Sequence, residues 1–439
     1  MCGREETMQK RVILKFRKSS IIGVLIIYYM LMDSSFPFAE SGSALNFFYW
    51  TKFALAIVVV SYAAFSVTKR DVELRSICKR TRHLFFIPWL LMILYSCIIW
   101  IMQKTATPYI TRGISNFIAN IIPILLGVAL VLIYREGIIR LVVIAICMMA
   151  FTNYIMGIIV NGPAFVVQLF NINCEESTFR IYKELHEIAY IAGLLLLYYF
   201  HKKEYRLNKG WLISVFIVFF FAWKRIGILA LVMAFIFYAL LKHINKSGKK
   251  STVTACGIVA LVLSILYVWM SASDELSTLL HEYGINMMGR DVIYSYFRKF
   301  CDFSITYLGH GIGFVSRQFN FITWEDVGVM IALKQGLHND LFSLYLEIGM
   351  IGFITWCVYQ LIYIPQKIRK WFGIDCAVRC FTYIIYTFVT YTTDNTLRYF
   401  VYQMTLVILI AVTCYENCKK KNNIRQDHFD VKELRKECK

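Results

Sequence analysis

Twelve apolar runs dominate this 439-residue chain, most of them near the 20 or so residues that a helix needs to cross a hydrocarbon core about 30 Å thick. They cover approximately residues 20–32, 46–67, 84–102, 115–133, 138–160, 185–200, 210–223, 226–241, 252–271, 341–364, 376–392 and 399–415. In lipid a backbone must satisfy its own hydrogen bonds, so runs of this length are expected to be helices. The expected fold class is an all-α polytopic membrane protein with about 12 transmembrane helices. Its organisation reads as a basic N-terminus (1–19), spans one to nine (20–271), an extracytoplasmic loop (272–340), spans ten to twelve (341–415) and a basic tail (416–439). The first run has signal-peptide character, with Ser41-Gly42-Ser43-Ala44 small enough for cleavage, but the expected reading is an uncut anchor.

The formal net charge is +19, which on a soluble chain would point to nucleic acid or an anionic surface. Here the bases follow the spans. With the N-terminus cytoplasmic, the inner segments carry 34 Lys and Arg against 12 Asp and Glu. The outer segments and adjoining helix ends carry 12 against 16, and Lys52 lies within the second run. This alternation matches the tendency of cytoplasmic loops to collect Lys and Arg, so the charge records topology and no nucleic-acid partner is expected. Both termini are expected in the cytoplasm. The 13 cysteines form no C-x-x-C and no zinc spacing, and no metal is expected. Cys174 and Cys301 both fall outside and are near enough in character to pair. No Walker loop, Gly-x-Ser-x-Gly elbow or internal repeat is evident.

Residues 272–340 break the pattern of short connections. Asp291 to Phe303 reads as an amphipathic helix, with Ile293, Phe297 and Phe300 on one face. Tyr307 to Gly313 (YLGHGIG) is a glycine-dense turn, in which Gly309 and Gly311 can bring backbone N–H groups to an anion or form a plain turn.

The candidate chemistry lies on the outer side. Lys224 and Arg225 sit between two short apolar runs, where they either snorkel to the interface or bind phosphate through paired hydrogen bonds. Arg290 follows Gly289 at a helix start, either solvated or facing the same anion. His338-Asn339-Asp340 closes the loop and opens the tenth span. Asn339 or Asp340 is a good helix N-cap, which leaves His338 at the membrane surface as a base or a hydroxyl ligand. Glu347 lies two turns deeper on the face of Asp340, facing the bundle interior for function or for a partner such as Lys52. Glu184, His186, Glu187 and Tyr190 open the sixth span from outside, where His186 and Glu187 are substrate-binding candidates or ordinary polar residues of a helix end. Asp394 and Arg398 are spaced for an ordinary i,i+4 ion pair.

The Lys-Arg-Ile-Gly-Ile-Leu junction, the Gly-Arg and Leu-Gly-His-Gly-Ile-Gly-Phe pieces of the loop, and Leu-His-Asn-Asp-Leu-Phe-Ser-Leu-Tyr-Leu-Glu-Ile-Gly-Met-Ile-Gly together resemble the O-antigen polymerase and O-antigen ligase superfamily of envelope glycosyltransferases. The specific part covers about residues 222–355. The resemblance implies a GT-C-like, metal-independent transferase without a cofactor, in the bacterial cytoplasmic membrane. It acts at the outer face on undecaprenyl-diphosphate-linked oligosaccharide, with a chain-length regulator as a further partner. By analogy Arg225 and Arg290 neutralise the diphosphate. His338 orients or deprotonates the acceptor hydroxyl, supported by Asp340 or Glu347. The family usually has a small or hydroxyl residue at the position of Lys224. A polymerase is the first expectation. A ligase-type transferase and a flippase for the same lipid-linked sugars are the alternatives.

Overall fold

The computed structural model describes residues 18–35, 42–66, 71–171, 179, 182–201, 209–222, 224–285, 287, 289–322 and 336–437. The described residues contain helices and connections and no strand. In chain order the first helices are α1 (Lys18–Ser35), α2 (Gly42–Ser66), α3 (Val72–Met102), α4 (Thr107–Tyr134), α5 (Ile138–Asn161) and the short α6 (Ala164–Phe170). Next come α7 (His186–His201), α8 (Lys209–Ala222), α9 (Arg225–Lys242) and α10 (Lys246–Ser273). The long connection holds α11 (Glu275–Glu282), α12 (Arg290–Arg298) and α13 (Phe314–Gln318). The last are α14 (Asp340–Val358), which runs through a π turn into α15 (Ile364–Phe372), then α16 (Ile374–Tyr391) and α17 (Phe400–Glu437).

Each of the twelve apolar runs lies on a helix. Seven stretches are long and apolar enough to cross a membrane: Phe47–Phe65, Val72–Met102, Thr107–Asn161, Arg225–Lys242, Lys246–Ser273, Asp340–Phe372 and Phe400–Asn422. The stretch Thr107–Asn161 contains both α4 and α5. Ser20–Ser34 and Lys209–Ala222 are shorter apolar helices. The outward faces suit a membrane-embedded protein. Phe65, Ile101, Phe151, Ile159 and Val167 are each more than 60% exposed. In water such a surface aggregates, whereas against lipid tails it is an ordinary exterior.

The helix ends sort into two sets. At one end Arg135 meets Asp71 at 3.3 Å, Lys419 meets Glu136 at 3.2 Å and Lys249 meets Asp375 at 2.9 Å. At the other end the 300–313 segment meets α3, α4 and α14, and the loop after α16 meets the starts of α7 and α14. Sequence-distant ends therefore converge as an up-and-down bundle requires.

The expected amphipathic helix forms as α12, beginning one residue earlier and ending five residues earlier than read from sequence. Gly289, at φ 76°, precedes it in a left-handed conformation. Ile293 and Phe297 are buried as expected. Asp291 does not cap the helix; it lies 3.5 Å from His281. Cys174 lies outside the described residues.

The glycine-dense turn clasps α14. Gly349 within α14 is non-helical (φ 65°, ψ −174°), which frees backbone groups on both sides of it. The turn takes them up. His310 N–H donates to Leu346 O at 3.1 Å, Gly311 N–H to Glu347 O at 2.7 Å, and Met350 N–H to Tyr307 O at 3.0 Å. A Cβ on Gly311 would stand 2.1 Å from Trp100 Nε1, and one on Gly309 would stand 2.5 Å from the Gly349 nitrogen. This corrects the anion-binding expectation for the pair: Gly309 and Gly311 serve close packing, and the Gly311 amide is already engaged.

Candidate functional site

Asn339 is the N-cap of α14, its Oδ1 accepting the Phe342 N–H at 3.0 Å. Its side-chain amide faces α10, 3.2 Å from Ser271 Oγ and 3.3 Å from the Tyr267 hydroxyl. Asn339 is fully buried, so it fixes the helix start and is not itself a surface for substrate. Asp340, also buried, accepts the Leu397 N–H at 2.7 Å. It ties α14 to the turn between α16 and α17.

These two anchors leave His338 at the rim. Its side chain is 13% exposed. Its backbone is left-handed (φ 49°), a conformation that costs a non-glycine residue about 1–2 kcal/mol. The His338 N–H donates to Asn395 Oδ1 at 3.0 Å, which holds it there. The ring Nδ1 lies 3.5 Å from Asp394 Oδ1 and 3.5 Å from Asn395 Nδ2. Asp394 is thus the carboxylate beside His338, in place of Asp340 or Glu347. A carboxylate facing Nδ1 favours the tautomer with a proton there, and leaves Nε2 free to accept one.

Asp394 is the hub of the site. It is 3% exposed. Oδ2 accepts the Tyr190 hydroxyl at 2.6 Å and lies 3.7 Å from His186 Nδ1. Oδ1 accepts the Tyr399 hydroxyl at 3.0 Å and the Asn395 N–H at 2.8 Å. Burial alone would push its carboxyl up. The neighbouring His186 and His338 rings and the Lys224 charge outweigh burial and hold it well below the usual carboxylate range. A carboxyl depressed by folding stabilises the fold above its unfolded value, and that contribution disappears as pH falls through the depressed one. Asp394 is therefore an anion throughout the neutral range. The expected Asp394–Arg398 pair does not form.

Lys224 joins the same hub. Its Nζ lies 2.9 Å from Glu184 Oε2 and 3.2 Å from His186 Nε2. Lys224 and His186 thus form one ion network with Glu184 and Asp394. Arg225 differs. It is exposed at the start of α9, with no carboxylate or hydrogen-bond partner among the described residues. α8 and α9 are separate helices with Lys224 between them.

Arg290 opens α12, half-buried, and its side chain has no carboxylate or hydrogen-bond partner among the described residues. Its charge acts on the Tyr267 and Tyr294 hydroxyls. Tyr267 in turn donates to Thr392 O and receives the Asn339 amide. Arg290 is thus within electrostatic reach of the tyrosine that receives the Asn339 amide. No contact among the described residues links Arg225 to Arg290.

Glu347 faces inward, as its depth implied. It accepts the Gly313 N–H at 3.1 Å and lies 3.4 Å from Arg398, which also donates to Ser343 Oγ at 3.0 Å. Its partner is not Lys52, which pairs with Asp33. Arg398 is the guanidinium in contact with Glu347; Arg112, which donates to Ser316 Oγ at 3.2 Å, acts on it from further away.

Glu187 is corrected from a substrate ligand to a cap. Its Oε1 accepts the Val401 and Tyr402 N–H groups at 2.6 and 2.9 Å, and Ser34 donates to Oε2. A buried carboxylate at the α17 N-terminus satisfies orphan amides and complements the helix dipole. Glu187→Ala is expected to destabilise the protein by about 1–3 kcal/mol, the penalty for unsatisfied buried donors. Thermal unfolding in detergent reads this as a lowered midpoint.

A scan against protein-family models matches none to this chain, and a search of curated proteins finds no match.

Sequence reasoning missed Asp394 as a member of the site. A signal for it was present: Thr392-Thr393-Asp394-Asn395-Thr396 is a polar turn between two apolar runs, where its acid faces two histidines.

Proposed function

We propose that this chain is a membrane glycosyltransferase. It polymerises undecaprenyl-diphosphate-linked oligosaccharide repeat units into an O-antigen, capsule or exopolysaccharide chain at the outer face of the bacterial cytoplasmic membrane. In this reading all twelve long helices cross the bilayer in a GT-C-like architecture, with both termini cytoplasmic. The alternation of basic inner segments and the pairing of helix ends support it.

The observation that carries the reading is Arg290. A half-buried guanidinium without a carboxylate partner among the described residues, within electrostatic reach of Tyr267, whose hydroxyl receives the amide of Asn339 next to the Asp394-facing His338, suits a diphosphate with a buried tail and a wet sugar. Arg290 stabilises the leaving diphosphate, and the exposed Arg225 is available to the same anion. His338 Nε2 takes the proton of the acceptor hydroxyl as that oxygen bonds to the anomeric carbon. The bond from this carbon to the phosphate oxygen breaks, and its electron pair leaves with undecaprenyl diphosphate. Asp394 positions His338 and stabilises the imidazolium. Because the diphosphate is a good leaving group once its charge is matched, positioning and electrostatics supply most of the catalysis.

One observation favours transport: α14 is interrupted at Gly349, and transporters use discontinuous helices at their binding sites. The freed backbone groups are, however, taken up by Tyr307, His310 and Gly311 of the chain itself. The transferase is therefore preferred. Reconstituted protein given the lipid-linked repeat unit is expected to yield a ladder of longer lipid-linked chains. Transfer to a different acceptor would indicate the ligase, and intact substrate on the opposite leaflet would indicate the flippase.

A further inference from the structure

A second constellation lies at the opposite end of the bundle, away from every residue of the site above. α16 carries Cys376 and Cys380, one turn apart on one face. α17 carries Cys414 and, one turn later, Cys418. The helices pack so that the sulfurs of Cys376, Cys380 and Cys414 all lie within 4.8 Å of one another. All three residues are buried, and Cys376 Sγ stands 3.6 Å from Cys414 Sγ.

That spacing matches a metal site better than a disulfide. Sulfurs at about 2.3 Å from a tetrahedral ion stand about 3.8 Å apart, whereas a disulfide needs about 2.05 Å. The surroundings suit a negatively charged thiolate cluster. The Arg379 and Lys421 charges both reach Cys376, and Lys421 Nζ is held by Phe372 O at 2.7 Å. Cys418 is half-buried beside Glu73 and stands outside the group of three close sulfurs. This end also carries Lys249, Arg135 and Lys419, the mark of the cytoplasmic side, where thiols stay reduced.

We propose that Cys376, Cys380 and Cys414 bind one thiophilic d10 cation, as Cu⁺ in a three-sulfur site or as Zn²⁺ with a solvent molecule in the fourth position. Each of the three thiols gives up its proton to solvent on binding. The ion joins α16 to α17 at their inner ends. These are the two helices whose outer ends flank the Asp394 turn, so the site acts as a clamp opposite the proposed catalytic end. The clamp does not depend on the transferase reading.

The test uses full-length protein purified under reducing, chelator-free conditions. Elemental analysis is expected to find about one zinc or copper ion per chain, the identity of the ion distinguishing the two arrangements. Metal-stripped protein titrated anaerobically with Co²⁺ is expected to develop a near-ultraviolet thiolate-to-cobalt band that saturates at one equivalent. Cys376→Ser with Cys414→Ser should abolish both signals. Cys357→Ser, at a buried thiol outside the cluster, should leave them unchanged. Less than a tenth of an ion per chain together with no cobalt band in the unmodified protein would overturn the proposal, whatever the variants do. So would a Cys376–Cys414 disulfide in protein trapped with alkylating agent at lysis.

Discussion

Arg290→Ala is expected to lower kcat for chain extension by about 10²–10³, the usual loss when one donor to a developing negative charge is removed. Protein level and thermal midpoint should stay near those of the parent. Arg290 makes no ion pair or side-chain hydrogen bond among the described residues, so its removal strands no carboxylate. Arg290→Lys keeps the charge but not the planar fork, and should recover only part of the rate. KM for the lipid-linked donor should change less than kcat, because the interaction strengthens as the diphosphate leaves. Full activity in Arg290→Ala would remove this residue from the mechanism. Loss of folding instead of rate would mean that it supports Tyr267 and Tyr294 and does not touch substrate.

His338→Ala is expected to cost about 10²–10⁴ in kcat, the range for a positioned general base. Asp394→Asn tests whether that base works through its carboxylate. The two side chains are 3.5 Å apart, so their effects should not add. The double variant is expected to be little worse than His338→Ala alone, since Asp394 has nothing left to orient. Additive losses would mean that Asp394 acts elsewhere, through His186 or the tyrosines it binds. Because Asp394 also accepts hydrogen bonds from Tyr190 and Tyr399, Asp394→Asn should lower stability as well. His338→Ala should lower it less, because Asp394 then keeps Tyr190, Tyr399 and His186.

The helices were legible because their cause is local. Runs of apolar residues near 20 long have no other solution in lipid, and all twelve lie on helices. His338, Asn339 and Asp340 were legible for a related reason: a polar triplet at the edge of an apolar run is a helix start. The partners of these residues were not. An i,i+4 ion pair needs a helix, and Asp394 and Arg398 are separated by a tight 3-10 turn over Thr396–Arg398. Asp394 turns to two histidines that lie 56 and 208 positions earlier, and Arg398 to Glu347. Glu187 looked like a ligand because only the fold brings the α17 N-terminus onto it. Gly309 and Gly311 looked like a phosphate cradle because the break at Gly349 that consumes their loop is invisible in the local sequence. The sulfur cluster joins a Cys-x-x-x-Cys pair on α16 to Cys414 on α17, helices that meet only in the tertiary structure, a spacing that no linear zinc pattern describes.

The central claim is that a glycosidic bond forms as undecaprenyl diphosphate leaves. The most direct measurement follows both products in one reaction, using liposomes that hold the purified protein and the lipid-linked repeat unit. One undecaprenyl diphosphate should be released for every linkage added to the lipid-linked chain, and Arg290→Ala should suppress both together. Intact lipid-linked substrate reaching the opposite leaflet, with no undecaprenyl diphosphate released, would contradict the account.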